Sequence, residues 1–386
     1  MTPGGAGVAQ QHLDPTKEPT VVPADAVAGY LRAQATEFLR ALRTHRETGG
    51  GAAAGAEEST DAALALRRSA RRISGTLHTF RPLLDTDWSE SLRPELAWLA
   101  GTLGREHAYA ARLDRLVAAL NRLSGASPFP AQQAMPSRSA GGLPATGPAG
   151  GRSATAAAAR PTTAAAAAVG TRPAANPDRG NLTVGAAKAG ALLDRQLTLA
   201  RTRAHSAALQ ALGSSRFHAV ADNVAVLASE VPLTPAAPTA DLRPLAAAAH
   251  DRLRDAVTGL PLRTAGHPYN AEALIQGLSA DTAPHPQDAP WHQVRLLLRL
   301  HRYALEVLYP EAVPVDVRLL AAGEALNRHR DASEAASAAA AAARTPRIAP
   351  ATAYALGVLH ADQRHEVEAS RYTFQQSWQK EAVNTS

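Results

Sequence analysis

The chain contains no cysteine among its 386 residues. That absence removes disulfides, thiolate nucleophiles and Cys-ligated zinc, and it fits a reducing compartment. Aromatic residues are scarce, at 4 %. Single-stranded nucleic acid is held by aromatic stacking platforms, so this composition disfavours such a partner despite the basic charge. Apart from Ala tracts too weakly hydrophobic to insert, no apolar run approaches the roughly 18 residues that a membrane span requires. The opening "MTPGGAGVAQQHLDPTKEPT" has no basic segment followed by an apolar one, as a secretory signal would. The expectation is a soluble, cytoplasmic protein that makes no membrane contact.

Catalytic signatures are missing too. Paired carboxylates for acid–base work, a DxD metal motif, a Gly-rich phosphate loop and GxSxG are all absent. Fourteen His are present, yet none falls in HxxxH or HExxH spacing. The sequence therefore predicts no catalytic residue, no metal and no cofactor; a phosphohydrolase would need a metal-binding carboxylate cluster that is not visible.

What is abundant is Ala. Small side chains at helical spacing favour close helix packing over a sheet sandwich, so the predicted fold class is all-α. Residues 1–23 are Gly- and Pro-rich and are expected to be disordered. Helical periodicity follows Pro23, then resumes from Ser59 or Thr60 to Pro82 and from Glu90 to about Leu123. Residues 125–183 turn to Pro, Gly, Ser, Thr and Ala without periodicity, which predicts a disordered low-complexity insertion. Further helices are expected from 185 to 212, 216 to 229, 242 to 260, 291 to 310, 315 to 343 and 350 to 382. The single helical domain would thus span 24–380, with 381–386 as a tail.

Net charge is +6 and the sequence pI is about 9.9, with the positive balance almost all Arg. A GC-rich coding bias would raise Arg as well, so placement must decide. "WHQVRLLLRLHRYALEVLYP", 291–310, puts cations into an otherwise apolar helix. It has a partner in the first half: "LALRRSARRISGTLHTFRP" (64–82) aligns with "HQVRLLLRLHRYALEVLYP" (292–310), matching Arg67 to Arg295, Arg71 to Arg299 and Pro82 to Pro310. Residues three and four apart share a helix face, so His292, Arg295, Arg299 and Arg302 form one stripe, and Arg67, Arg71 and His78 another. Between Ala62 and Leu84 there is no acid. A cation row without interleaved Glu repels itself, which an anion laid along it would relieve. A solvated face, or carboxylates brought in by neighbouring helices, is the simpler alternative for any one Arg.

Taken in order, "ALRRSARRISGTLHTFRPLL", "ELAWLAGTLG", "LLDRQLTLARTRAHSAALQALGSSRFHAVADNVAVLA", "HQVRLLLRLHRYALEVL", "ALNRHRDASEAA" and "YALGVLHADQRHEVEASRYTFQQSW" resemble the CHAD domain, the conserved-histidine α-helical domain. The resemblance implies two pseudo-twofold-related four-helix bundles around a basic groove, and non-enzymatic binding of inorganic polyphosphate. It implies as ligand residues Arg67, Arg71, Arg72, His292, Arg295, Arg299, Arg302, Arg328 and His329, with Arg201, Arg203 and Arg216 as second-rank candidates. It also implies possible association with polyphosphate granules. Several signature positions differ here: Leu64 stands where the family has His, Leu297 and Leu300 where it has basic residues, and Ala108 and Ala110 where it has acids. The alternative that these departures leave open is a helical scaffold that engages protein partners without binding polyphosphate.

Overall fold

The computed structural model describes residues 22–48, 53–125, 177–267, 271–278, 285–311 and 316–379. Most of the expected disordered N-terminus, the middle of the expected insertion and the tail lie outside the described residues. Eleven α-helices are found among those described: α1 (Asp25–Thr48), α2 (Ala53–Thr79), α3 (Thr86–Ser124), α4 (Pro177–Leu212), α5 (Ser215–Ser229), α6 (Arg243–Thr258), α7 (Leu262–Ala265), α8 (Ala271–Gly277), α9 (Ala289–Leu308), α10 (Val317–Ala343) and α11 (Pro350–Gln379). The fold is all-α, and the described residues contain isolated β-bridges but no strand.

Local chemistry sets the helix ends. The Asp85 side chain accepts from Trp88 N at 2.8 Å and starts α3 earlier than apolar periodicity alone suggests. Gly125, at φ 67°, ends the same helix in the left-handed conformation that glycine adopts without strain. Ser214 and Asp316 cap α5 and α10 in the same way as Asp85. Two boundaries differ from the sequence expectation. Helix α2 begins at Ala53 rather than Ser59, because the alanines before the acidic pair extend it. Helix α4 begins at Pro177, inside the stretch expected to be insertion; proline at the first helical position gives up only a donor that would have no partner there.

Apolar burial falls into three clusters. Leu31, Phe38, Leu66, Ile73, Leu77, Leu96 and Phe217 unite α1, α2, α3 and α5, joined by Ala304 and Val307 of α9. Leu116, Leu120, Leu193, Ala335, Ala339 and Leu359 join α3, α4, α10 and α11. Leu253, Trp291, Val294, Leu298, Leu326 and Phe374 join α6, α9, α10 and α11. Alanines on α10 allow α11 to lie close along it, which explains how a sequence with so few aromatics fills its interior.

The two halves meet where α2 packs on α9. Gly75 makes this possible: a Cβ there would stand 2.6 Å from the Tyr303 ring and 3.2 Å from Leu300 Cδ2. Leu300, which occupies a signature basic position, is thus part of the α2–α9 contact and is buried.

Candidate functional site

The crossing of α2 and α9 brings their Arg stripes together. Arg67 and Arg71 on α2 and Arg295 on α9 line a cleft of about 550 Å³, together with Arg112 and Arg115 of α3 and Arg330, Asp331 and Glu334 of α10. Arg299 stands one turn beyond Arg295 and lines an adjoining cleft with Arg71. The i, i+4 spacing read from sequence is what aims each pair in one direction.

Charge compensation divides these residues into two groups. Around the rim the guanidinium groups are paired. Arg112 Nη2 lies 2.5 Å from Glu334 Oε2, Arg115 Nη2 lies 3.7 Å from Glu366 Oε2 while its Nε donates to Gln363 Oε1, and Arg330 pairs with Asp331. At the centre, Arg67, Arg71, Arg295 and Arg299 make no ion pair with any described residue, although all four are half-buried. Arg295 Nε donates to the neutral Asn327 Oδ1 at 2.8 Å, and Arg67 Nε is buried without a hydrogen-bond partner. Burial lowers the pKa of each, and the neighbouring cations lower it further. Arg295 is brought down to about 9, with Arg330, Arg299 and Arg71 adding to the burial effect. Arg71 falls to about 10, with Arg67 and Arg299 behind burial. Arg67 and Arg299 move in the same direction for the same reasons. Such an array is unfavourable until an anion enters it.

The Arg67 guanidinium is seated by glycine. A Cβ on Gly104 of α3 would lie 2.5 Å from Arg67 Cζ, so the flat group rests directly on helix backbone.

Other expected ligand residues lie elsewhere. Arg72, one residue and about 100° around the helix from Arg71, faces α1; its Nε is 2.8 Å from Glu306 Oε2, which also accepts from the Tyr30 hydroxyl at 2.6 Å. That half-buried bridge ties α2 to α9 and, through Tyr30, to α1. Arg302 is exposed and has no ion pair among the described residues, while Arg328 is exposed on the outer side of α10. Arg201 approaches Glu106 at 3.6 Å across another face of α3, Arg203 is exposed, and Arg216 grips Glu95 at 2.6 and 3.0 Å while stacking 4.0 Å over Trp98. These three do not join the central array.

His329, expected to line the groove, is buried. It lies on the inward stripe of α10 with Ala322, Ala325, Leu326, Ala332 and Ser333, so its periodicity places it in the core. There it accepts from Arg371 Nε at 3.3 Å and stacks on Trp291, with ring centroids 5.6 Å apart. The centre of this region is Asp288, fully buried just before α9, bound by Arg364 at 2.8 and 3.2 Å, Arg371 at 2.6 Å and the Ser333 hydroxyl. Burial alone would raise the Asp288 pKa; its hydrogen bonds and the charge of Arg364 override that and hold it far below the usual range. His329 is held neutral, mainly by burial and then by Arg371. Half-buried His292, 5.5 Å from His329 between ring centroids, sits between this network and the cationic cleft.

No group of three His, Asp or Glu among the described residues converges as a metal site, and no helix there is long and apolar enough to cross a membrane. The residues missed from sequence are Arg112, Arg115 and Arg330. Their signal was a cation spacing on α3 and α10, but acids are interleaved on both helices, and the partners of Arg112 and Arg115 are Glu334 of α10 and Glu366 of α11.

Comparison with known proteins agrees with this architecture. No relative is found among curated proteins. A solved structure, PptA from Streptomyces chartreusis, is similar with a TM-score of 0.69 and 62 % sequence identity, over 92 % of this chain and 99 % of that one. The model of the CHAD domain matches residues 33–340. The chain belongs to the CHAD-domain family.

Proposed function

We propose that this protein binds inorganic polyphosphate without turning it over, and that Arg67, Arg71, Arg295 and Arg299 hold the phosphates. The observation that carries the proposal is the central array: four half-buried guanidinium groups that make no ion pair among the described residues, one with an orphaned Nε. Planar guanidinium forks suit phosphate oxygens, and a chain of linked phosphates neutralises several forks at once. His292, Arg302 and Arg330 flank the array and take the outer phosphates. The family's association with polyphosphate supports this reading. So does the arrangement of α2 against α3, and of α9 against α10, as two comparable hairpins that meet at Gly75. On the same proposal the protein acts in the cytoplasm.

Titration of the full chain with long-chain polyphosphate at low and high salt tests the reading. Affinity should fall steeply with salt, since phosphate neutralisation releases counterions. Absence of binding at low salt ends the proposal. The double variant Arg295→Glu/Arg299→Glu should abolish binding; if affinity is unchanged, the cleft is not the site and the scaffold reading replaces it.

A further inference from the structure

The cationic cleft does not end at Arg71. A second cleft, of about 570 Å³, continues from it, and both are lined by Arg71 and Gly101. Gly101 stands at the junction, where a Cβ would meet nothing within 4 Å, so the passage between the two clefts is open space. The second cleft is different in character. Its middle is apolar, formed by Gly75, Pro94, Ala97, Leu296, Leu300 and Tyr303.

The two ends of this cleft are chemically distinct. Arg71 and Arg299 occupy the end next to the cationic array. Seven residues further along α2, about 10 Å at helical rise, stands His78. Its Nδ1 pairs with Arg93 Nη1 at 2.8 Å, which leaves Nε2–H as a donor, and Arg93 Nη2 is 2.8 Å from Glu90 Oε2. Cations, an apolar slot and a hydrogen-bonding edge therefore follow one another along one helix face.

We propose that this trough binds a nucleoside polyphosphate. The phosphates lie on Arg71 and Arg299, the sugar passes Gly101, and the base enters the apolar slot with its polar edge toward His78 and Arg93. An acyl chain fits less well, because it would bury the His78–Arg93–Glu90 edge without replacing its hydrogen bonds to water. A bare phosphate chain would leave the slot's apolar walls wet. The volume is within the range of small-molecule sites, about 300 to 1,000 Å³. This inference rests on the proposal that the Arg array binds phosphate.

Calorimetric titration of the full chain with adenosine triphosphate and with methyl triphosphate, of matching charge but lacking the base, tests it. The nucleotide is expected to bind at least tenfold tighter. The variant Ala97→Trp fills the slot from an exposed helix position outside the cationic cleft. It should erase that difference while long-chain polyphosphate binds as before. Leu296→Gln, also exposed, should narrow the difference with less change in shape. Equal affinity of the two triphosphates, or a preference that survives both variants, overturns the inference and leaves the polyphosphate reading standing. If polyphosphate does not bind either, both fall.

Discussion

The guanidinium of Arg67 lies against the bare backbone of Gly104, at a place where a Cβ would stand 2.5 Å from Arg67 Cζ and Nε. One helix thus supplies the cation and another supplies only the absence of a side chain. Gly104→Ala should displace Arg67 without unfolding α3, since Ala favours a helix by about 1 kcal/mol over Gly. Polyphosphate affinity should fall several-fold with unchanged helix content by circular dichroism. Gly29→Ala, on open surface of α1, serves as the control and should leave affinity untouched. Equal affinity for all three proteins would show that Arg67's seat is irrelevant to binding.

Arg299 contributes repulsion in the free protein and attraction in the complex. Its pKa is lowered by burial, and the Arg330 and Arg302 charges push it down further. Arg299→Gln should weaken polyphosphate binding about tenfold, or ~1.4 kcal/mol, as befits one charge-assisted contact. The same variant should unfold at a temperature no lower than the parent. A clear loss of thermal stability with affinity retained would mean that Arg299 serves the fold and not the ligand.

Asp288 is the opposite case, a buried charge that the fold needs. Asp288→Ala leaves Arg364 and Arg371 buried without their shared carboxylate. Breaking such a pair from one side costs about 3–5 kcal/mol. Urea unfolding should show a loss of that order. A loss below ~1 kcal/mol would mean that Glu368 or water compensates the two guanidinium groups.

Stability should decline with acid through the buried imidazoles. His301 packs against His250 with centroids 4.8 Å apart, and its pKa is lowered to about 4, by burial first and the His250 charge second. His329 is lowered as well. In the unfolded chain these groups take up protons near pH 6.5. The folded state binds fewer protons there, so stability is complete above that pH and falls as pH drops from 6.5 toward 4. Urea midpoints measured across this window should decrease, and His301→Phe should flatten part of the slope. A midpoint independent of pH between 6.5 and 4.5 would rule out this linkage.

Much of this architecture was legible in the sequence. Three-and-four periodicity located nearly every helix, and the Arg67/Arg71 and Arg295/Arg299 register marks two helices, α2 and α9, that pack together in the structure. The acid-free run from Ala62 to Leu84 also foretold that the α2 cations would lack local partners. Less legible was the fate of individual residues. Arg71 and Arg72 are neighbours of identical type, yet Glu306, 234 residues from Arg72, neutralises one and leaves the other bare. His329 could have been placed in the core from its alanine-lined stripe, but its position beside Arg328 and Arg330 gave it the look of a ligand. Arg112, Arg115 and Arg330 were missed because alternation with acids looks the same on a solvated face as on the rim of a site.

The sequence by itself determined the helices, the cation rows they carry and the glycines that let those rows approach, because these depend on residue type and on a period of 3.6. Tertiary structure alone decided which cations remain uncompensated. That choice depends on carboxylates delivered by distant helices, and on the rotation by which α9 and α10 turn Arg295 and Arg330 into the cleft while His329 faces the core.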